Sequence, residues 1–219
     1  MTQPSIYLAG PTVFMPDKVE RGEELKRLCA AACCEGLYPL DNVLGDGSDA
    51  HAIAQGCLEM LQRAEAVVAD LSPFRGPHVD DGTAVEIGYA VARGIPVFGY
   101  SDDLRSLASR IARDTSRAGM VDAAGITIED LGEPFNAMVA GVLEGDAYPS
   151  ASEAIGAASV YLRRRSFLNA WSQEQLNAAD RTDPGRRTPR STRTLWIAGA
   201  IMLACALLAL WTAGLTRFF

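Results

Sequence analysis

A chain of 219 residues, 48% hydrophobic and 21% charged, has room for one well-buried domain and an appendage. Its net charge of −7 is uneven: residues 1–162 hold 11 Lys and Arg against 24 Asp and Glu, whereas residues 163–193 hold 8 Arg against three acids. So acidic a globular part argues against nucleic acid as a partner, and five cysteines without a CxxC, beside only two histidines, argue against zinc.

Elements follow in chain order. Ser5–Ala9 reads as a strand ended by Gly10-Pro11. Leu25, Leu28 and Ala32 recur at helical spacing within Lys18–Glu35, and Gly36 is the expected stop. Leu37–Leu40 reads as a second strand. Ile53, Cys57, Met60 and Leu61 mark one face of a helix from Ala50 to Arg63. Ala66–Leu71 is the third strand, Thr83–Arg93 a helix stopped by Gly94, and Pro96–Tyr100 the fourth strand. Beyond Tyr100 the spacing predicts helices over Leu104–Arg113 and Phe135–Leu143, a fifth short strand at Ile126–Ile128, and a terminal helix from Ser152 to about Leu176 with Val160, Phe167 and Trp171 on one side. Such alternation argues a parallel sheet with crossover helices.

The segment from Asp70 to Ala90 is the most informative. Asp70 ends a buried apolar run, a Pro/Gly-rich loop follows, and Gly82-Thr83 opens a helix that carries Glu86 in its first turns. Asp70, Asp80 and Glu86 thereby reach the rim of a parallel sheet, where open α/β folds bind ligands. Carboxylates gathered there suit chemistry on a sugar that develops positive charge. On spacing alone, Glu86 could equally be a charge at a helix start.

Three blocks together resemble the nucleoside 2-deoxyribosyltransferase family: Ile6-Tyr-Leu-Ala-Gly-Pro11, Asp80-x-Gly-Thr-Ala-x-Glu-x-Gly-Tyr-Ala90 with Asp70 before it, and Asp130-Leu-Gly-Glu-Pro-Phe-Asn-Ala-Met138. The resemblance implies a flavodoxin-like parallel sheet, here of five strands, with helices on both faces. It implies transfer of 2-deoxyribose from one nucleobase to another, with a 2′-deoxynucleoside and a free base as partners and no cofactor or metal. Glu86 takes the family's place as nucleophile, Tyr7 orients it, and Asp70 binds the base and delivers its proton. Asp80 is the sugar-hydroxyl ligand, with Asp81 its rival in register. Gly10, Pro11, Gly82 and Thr83 let the backbone approach the substrate. Asn136 and Met138 would come from a neighbouring subunit, which implies a homo-oligomer. The family's amide that pairs with the base has no clear counterpart; Asp41-Asn42 is the nearest. An N-glycosidase passing the sugar to water is the competing enzyme reading.

The expected organisation is a catalytic domain over residues 1–149, a helical extension over 150–179, an Arg/Pro-rich linker over 180–194 and a transmembrane anchor over 195–215. That last stretch is free of charge, and 21 residues of helix span about 31 Å, close to the roughly 30 Å of a bilayer core. Four arginines before it and one after place the catalytic domain on the cytoplasmic side. A membrane-tethered nucleoside sensor is the reading of another class.

Overall fold

A computed structural model describes residues 3–42, 49–116 and 118–181, with side chains to residue 175. Two units divide the chain, residues 1–163 and 164–219. The first is built on a sheet of four parallel strands, β1 (Ser5–Ala9), β2 (Glu35–Leu37), β3 (Ala66–Asp70) and β4 (Val97–Tyr100), in the order β2-β1-β3-β4. The crossovers run through α1 (Lys18–Ala31), α2 (Ala50–Gln62) and α3 (Asp81–Ala92). Shorter helices α4 (Leu107–Arg110) and α5 (Ala137–Ala140) precede α6 (Ala151–Arg181).

Period-two alternation sends successive strand residues to opposite faces. Ile6, Leu8, Val68 and Phe98 bury against Leu25 and Cys29 of α1 and Ala154, Ile155, Ala158 and Leu162 of α6. Tyr7, Ala9, Val67, Ala69 and Val97 bury against Met60 and Leu61 of α2, Ile87 and Ala90 of α3, and Phe135. Helices therefore cover both faces, as expected. The inward stripe of α6 begins earlier than the anticipated face: Val160 and Phe167 are exposed, while Ala154, Ile155, Ala158 and Leu162 point in. Helix α1 also ends before Gly36. Cys33, at φ 60°, makes the left-handed turn, and its amide and that of Cys34 donate to the Ala30 and Cys29 carbonyls. Strand β2 consequently begins at Glu35, and Pro39–Asp41 winds into a 3₁₀ turn.

The sheet has four strands rather than the expected five. Ile126–Ile128 folds back instead, because the Asp122 carboxylate accepts from the Ala124 and Ile126 amides and closes a turn; Val121 and Thr127 then bridge antiparallel. The edge of β4 is met by residues 144–148, whose Glu144 and Tyr148 amides donate to the Val97 and Gly99 carbonyls. That segment, which turns at Gly145 with φ 84°, makes a single parallel bridge between Tyr148 and Tyr100.

The anticipated membrane anchor is likewise corrected. No helix among the described residues is long and apolar enough to cross a membrane. Helix α6 has 31 residues, but Arg163, Arg164 and Arg165 lie within it, and charge at bilayer depth is costly. Residues 195–215, on which the expectation fell, lie outside the described residues. Among the described residues there is no membrane span, and the cytoplasmic-face location drawn from that span loses its support.

Candidate active site

The strand order reverses direction between β1 and β3, so their carboxyl ends diverge into a crevice, the usual ligand position in such sheets. Tyr7 rises from β1 on the α2/α3 face, fully buried, and its hydroxyl donates to Glu86 Oε1 at 2.5 Å. Burial pushes the Glu86 carboxyl up to about 7; the Tyr7 hydrogen bond opposes the shift and the charge of Asp80 adds to it. Tyr7 itself is driven well above the usual phenol range by burial and by Glu86, so it remains a donor.

Glu86 opens on a cavity of about 790 Å³. Gly10, Asp80, Gly82, Thr83, Asn42 and Cys57 line it, and Phe14, Leu40, Ile53 and Val85 form an apolar wall. Asp80 is 6% exposed and caps α3: its Oδ2 accepts from the Thr83 amide at 2.9 Å and from Thr83 Oγ1 at 3.0 Å. Asp81 is exposed, accepts only a local bond from the Gly82 amide, and is not among the cavity's lining residues. Asp80, not Asp81, faces the cavity that holds Glu86.

Asp70 lies alongside this cavity, against Gly10, without lining it. It lines an adjoining cavity of about 480 Å³ together with Pro11, Ser72, Tyr100, Arg21 and Asp102. Gly10 stands between the two, with φ 152°; a Cβ there would come within 2.7 Å of Asp70 Cβ. Burial raises the Asp70 carboxyl, hydrogen bonds from Ser72 oppose this, and Asp102 adds to it. Tyr100 reaches Asp70 as its register partner across β3 and β4, and burial and Asp70 hold its phenol protonated. Each of the two catalytic-type carboxyls therefore has a tyrosine from a neighbouring strand.

Asn136 caps α5, its Oδ1 accepting from the Met138 amide at 3.0 Å and its Nδ2 donating to Glu129 Oε2 at 3.2 Å. Met138 is 75% exposed, and neither residue lines the Glu86 cavity. The structure thus brings together Tyr7, Glu86, Asp80, Gly82, Thr83 and Gly10, sets Asp70 and Pro11 next door, and leaves Asn136 and Met138 on the surface.

Three residues had little or no place in the sequence reading. Tyr100 could have been found as an aromatic ending the apolar strand that follows the one Asp70 ends. Cys57 was visible only as one member of a helical stripe. Asn42, a weak candidate there, lines the Glu86 cavity with a buried Nδ2 that has no partner among the described residues. Gly56 admits it, because a Cβ at that position would collide with the Asn42 amide.

This arrangement defines a flavodoxin-like α/β enzyme with a tyrosine-oriented carboxyl at the sheet's switch point. The family model for nucleoside 2-deoxyribosyltransferase matches residues 6–138, and the chain belongs to that family. It is similar to a 2-desoxiribosyltransferase from Leishmania mexicana, with 32% identity, a TM-score of 0.61, and coverage of 71% of this chain and 97% of that one. An uncharacterized protein of Schizosaccharomyces pombe is 36% identical over 115 residues, 49% of this chain. The chain matches about half (54%) of that curated relative's length.

Proposed function

We propose that the protein transfers 2-deoxyribose between nucleobases through a glycosyl ester on Glu86. The observation that carries this reading is the Tyr7–Glu86 hydrogen bond of 2.5 Å at the wall of the large cavity. As the N-glycosidic bond breaks, its electron pair leaves with the base nitrogen, and positive charge grows on C1′ and the ring oxygen. A carboxylate beside C1′ stabilises that charge and closes a C–O bond with it. Asp70 gives the departing base its proton. A ring nitrogen of the second base then attacks C1′ as its N–H proton returns to the Asp70 carboxylate, Glu86 leaves as carboxylate, and two displacements give net retention.

Asp80 uses Oδ2 for the helix cap, and its remaining oxygen is the proposed acceptor for the sugar hydroxyl. The ring of Phe14, 58% exposed, offers a stacking face for the base. The Asn42 amide supplies a donor to a base carbonyl. The likeness to the 2-desoxiribosyltransferase of Leishmania mexicana supports the substrate class. Incubation of the full chain with deoxyadenosine and free cytosine tests the reading: deoxycytidine is the expected product. Deoxyribose and adenine alone would make the enzyme a hydrolase instead.

Asn136 and Met138 fit this reading as groups lent to a neighbouring copy. Subunit exchange checks it. A mixture of Glu86→Gln and Asn136→Ala chains, each impaired alone, should recover about a quarter of native turnover, since half the sites of a mixed dimer would be intact. No recovery from chains that do exchange would confine Asn136 to its own subunit.

A further inference from the structure

Phe14 ends the 3₁₀ turn Pro11–Phe14 that leaves β1, and it belongs to the apolar wall of the Glu86 cavity. Phe74 stands in the loop from Asp70 to the Asp80 cap of α3, and it lines the Asp70 cavity. The two rings stack, 5.5 Å between centroids and 20° between planes. The Arg75 guanidinium lies over both, 4.8 Å from the Phe74 centroid and 5.6 Å from that of Phe14. We propose that Phe74 and Arg75 are positioning residues for the donor base, their stack fixing the Phe14 ring in the orientation that receives it. This rests on the reading of Phe14 as the stacking face of the base.

A phenylalanine 58% exposed at the end of a short turn samples several rotamers unless a neighbour selects one. Ordering such a ring when substrate arrives costs conformational entropy, and a ring already ordered avoids that cost. Offset rings about 4.5–7 Å apart attract one another, and a guanidinium over a ring face adds a cation–π contact. Arg75 itself holds φ 53°, in the left-handed region that a residue with a Cβ enters at a cost. Gly76 follows at φ 144°, and the Phe74 amide donates to the His78 carbonyl at 2.9 Å, so the loop closes tightly around Arg75. Among the described residues no carboxylate forms an ion pair with Arg75. What the left-handed turn delivers is the guanidinium onto the two rings. The face of a base is the same before and during transfer, so loss of stacking is read in KM and leaves kcat.

The test measures Kd for deoxyadenosine by calorimetry, and kcat and KM in the deoxyadenosine–cytosine exchange. The variants are Phe14→Ala, Phe74→Ala, Phe74→Tyr, Arg75→Ala and the pair Phe14→Ala with Phe74→Ala. Loss of one ring contact predicts KM and Kd about three- to ten-fold higher for Phe74→Ala, with kcat within about twofold. Arg75→Ala should raise the same constants about two- to five-fold, and Phe74→Tyr, which keeps the ring, should match the native chain. In Phe14→Ala, itself a weaker binder, the Phe74 substitution should add nothing. Native KM and Kd in both Phe74→Ala and Arg75→Ala overturn the proposal, as does a Phe74 effect of full size in the Phe14→Ala background. A fall in kcat at native KM also overturns it, because Phe74 would then act through the neighbouring Asp70. If Phe74→Ala does not fold, Arg75→Ala, alone and combined with Phe14→Ala, makes the same comparison. Phe14→Ala separates the two layers. Native binding by it sinks the stacking face and the positioning stack together; weak binding by it, beside native binding by Phe74→Ala and Arg75→Ala, sinks only the stack. A native chain that binds deoxyadenosine without exchange would end the transfer reading, and the Kd series would still decide the role of the stack.

Discussion

Glu86→Gln should lose turnover by at least about 10³-fold and yet unfold at a higher temperature than the native chain at pH 8. Both effects come from one buried carboxyl. Removing a nucleophile deletes the covalent route, and an amide oxygen is too weak a base to replace it. The stability effect follows from proton linkage. Glu86 has its folded pKa raised to about 7, above the ordinary 4.5. Between those values the folded protein holds a proton that the unfolded chain has lost, so stability falls as pH rises through that window. Above pH 7 the native fold carries the full penalty of the buried charge. A neutral Gln removes it and can still accept the Tyr7 hydroxyl. The side chain keeps some contact with solvent, so the gain is on the order of 1–3 kcal/mol, or several degrees in Tm. Thermal melts at pH 8 and pH 4.5 check the sign, because the gain should vanish at the lower pH. A variant less stable than native at both values would show that the carboxyl is better satisfied than its burial implies.

Asp70→Asn should slow exchange of natural bases by about 10²- to 10⁴-fold, the usual worth of a positioned acid. A buried carboxyl with a raised pKa can carry the proton that a leaving purine or pyrimidine needs, whereas an amide cannot. The Ser72 amide, which donates to Asp70 Oδ1, should hold the substituted side chain in the same place, so the loss should be chemical rather than structural. A 2-deoxyribosyl donor with a 4-nitrophenolate leaving group needs no proton. With that donor the variant should come within about tenfold of native. Equal losses with both donors would mean that Asp70 holds the architecture of the crevice and gives no proton.

Much of this site was legible in the sequence because local rules set it. Alternation in Ser5–Ala9 places Tyr7 on one face of β1, and the Asp80-x-x-Thr83 spacing is that of a helix cap, with the carboxylate on the amide three residues on. The relation of Asp70 to Glu86 was not legible. Both end up at the sheet rim, but Glu86 lines one cavity with Gly10 and Asp70 the other with Pro11, and no local pattern reports on which side of a third segment a residue will open. The fifth strand failed for a related reason. Ile126–Ile128 has strand-like composition, yet the Asp122 side chain closes a turn before it and turns it away from β4. The terminal helix kept its period, but periodicity without contacts favoured its large apolar residues over the small stripe, Ala154 and Ala158, that fits against the sheet. The apolar run at 195–215 suggested a membrane by composition alone, and it lies outside the described residues.

The central claim is that Glu86 captures C1′. Its most direct test is acid-quenching of the full chain within one turnover of deoxyadenosine, followed by peptide mass analysis. The expected result is one deoxyribosyl group on the peptide containing Glu86, absent from Glu86→Gln, and a product that keeps the anomeric configuration of the donor. Steady turnover with no adduct and an inverted product would contradict it.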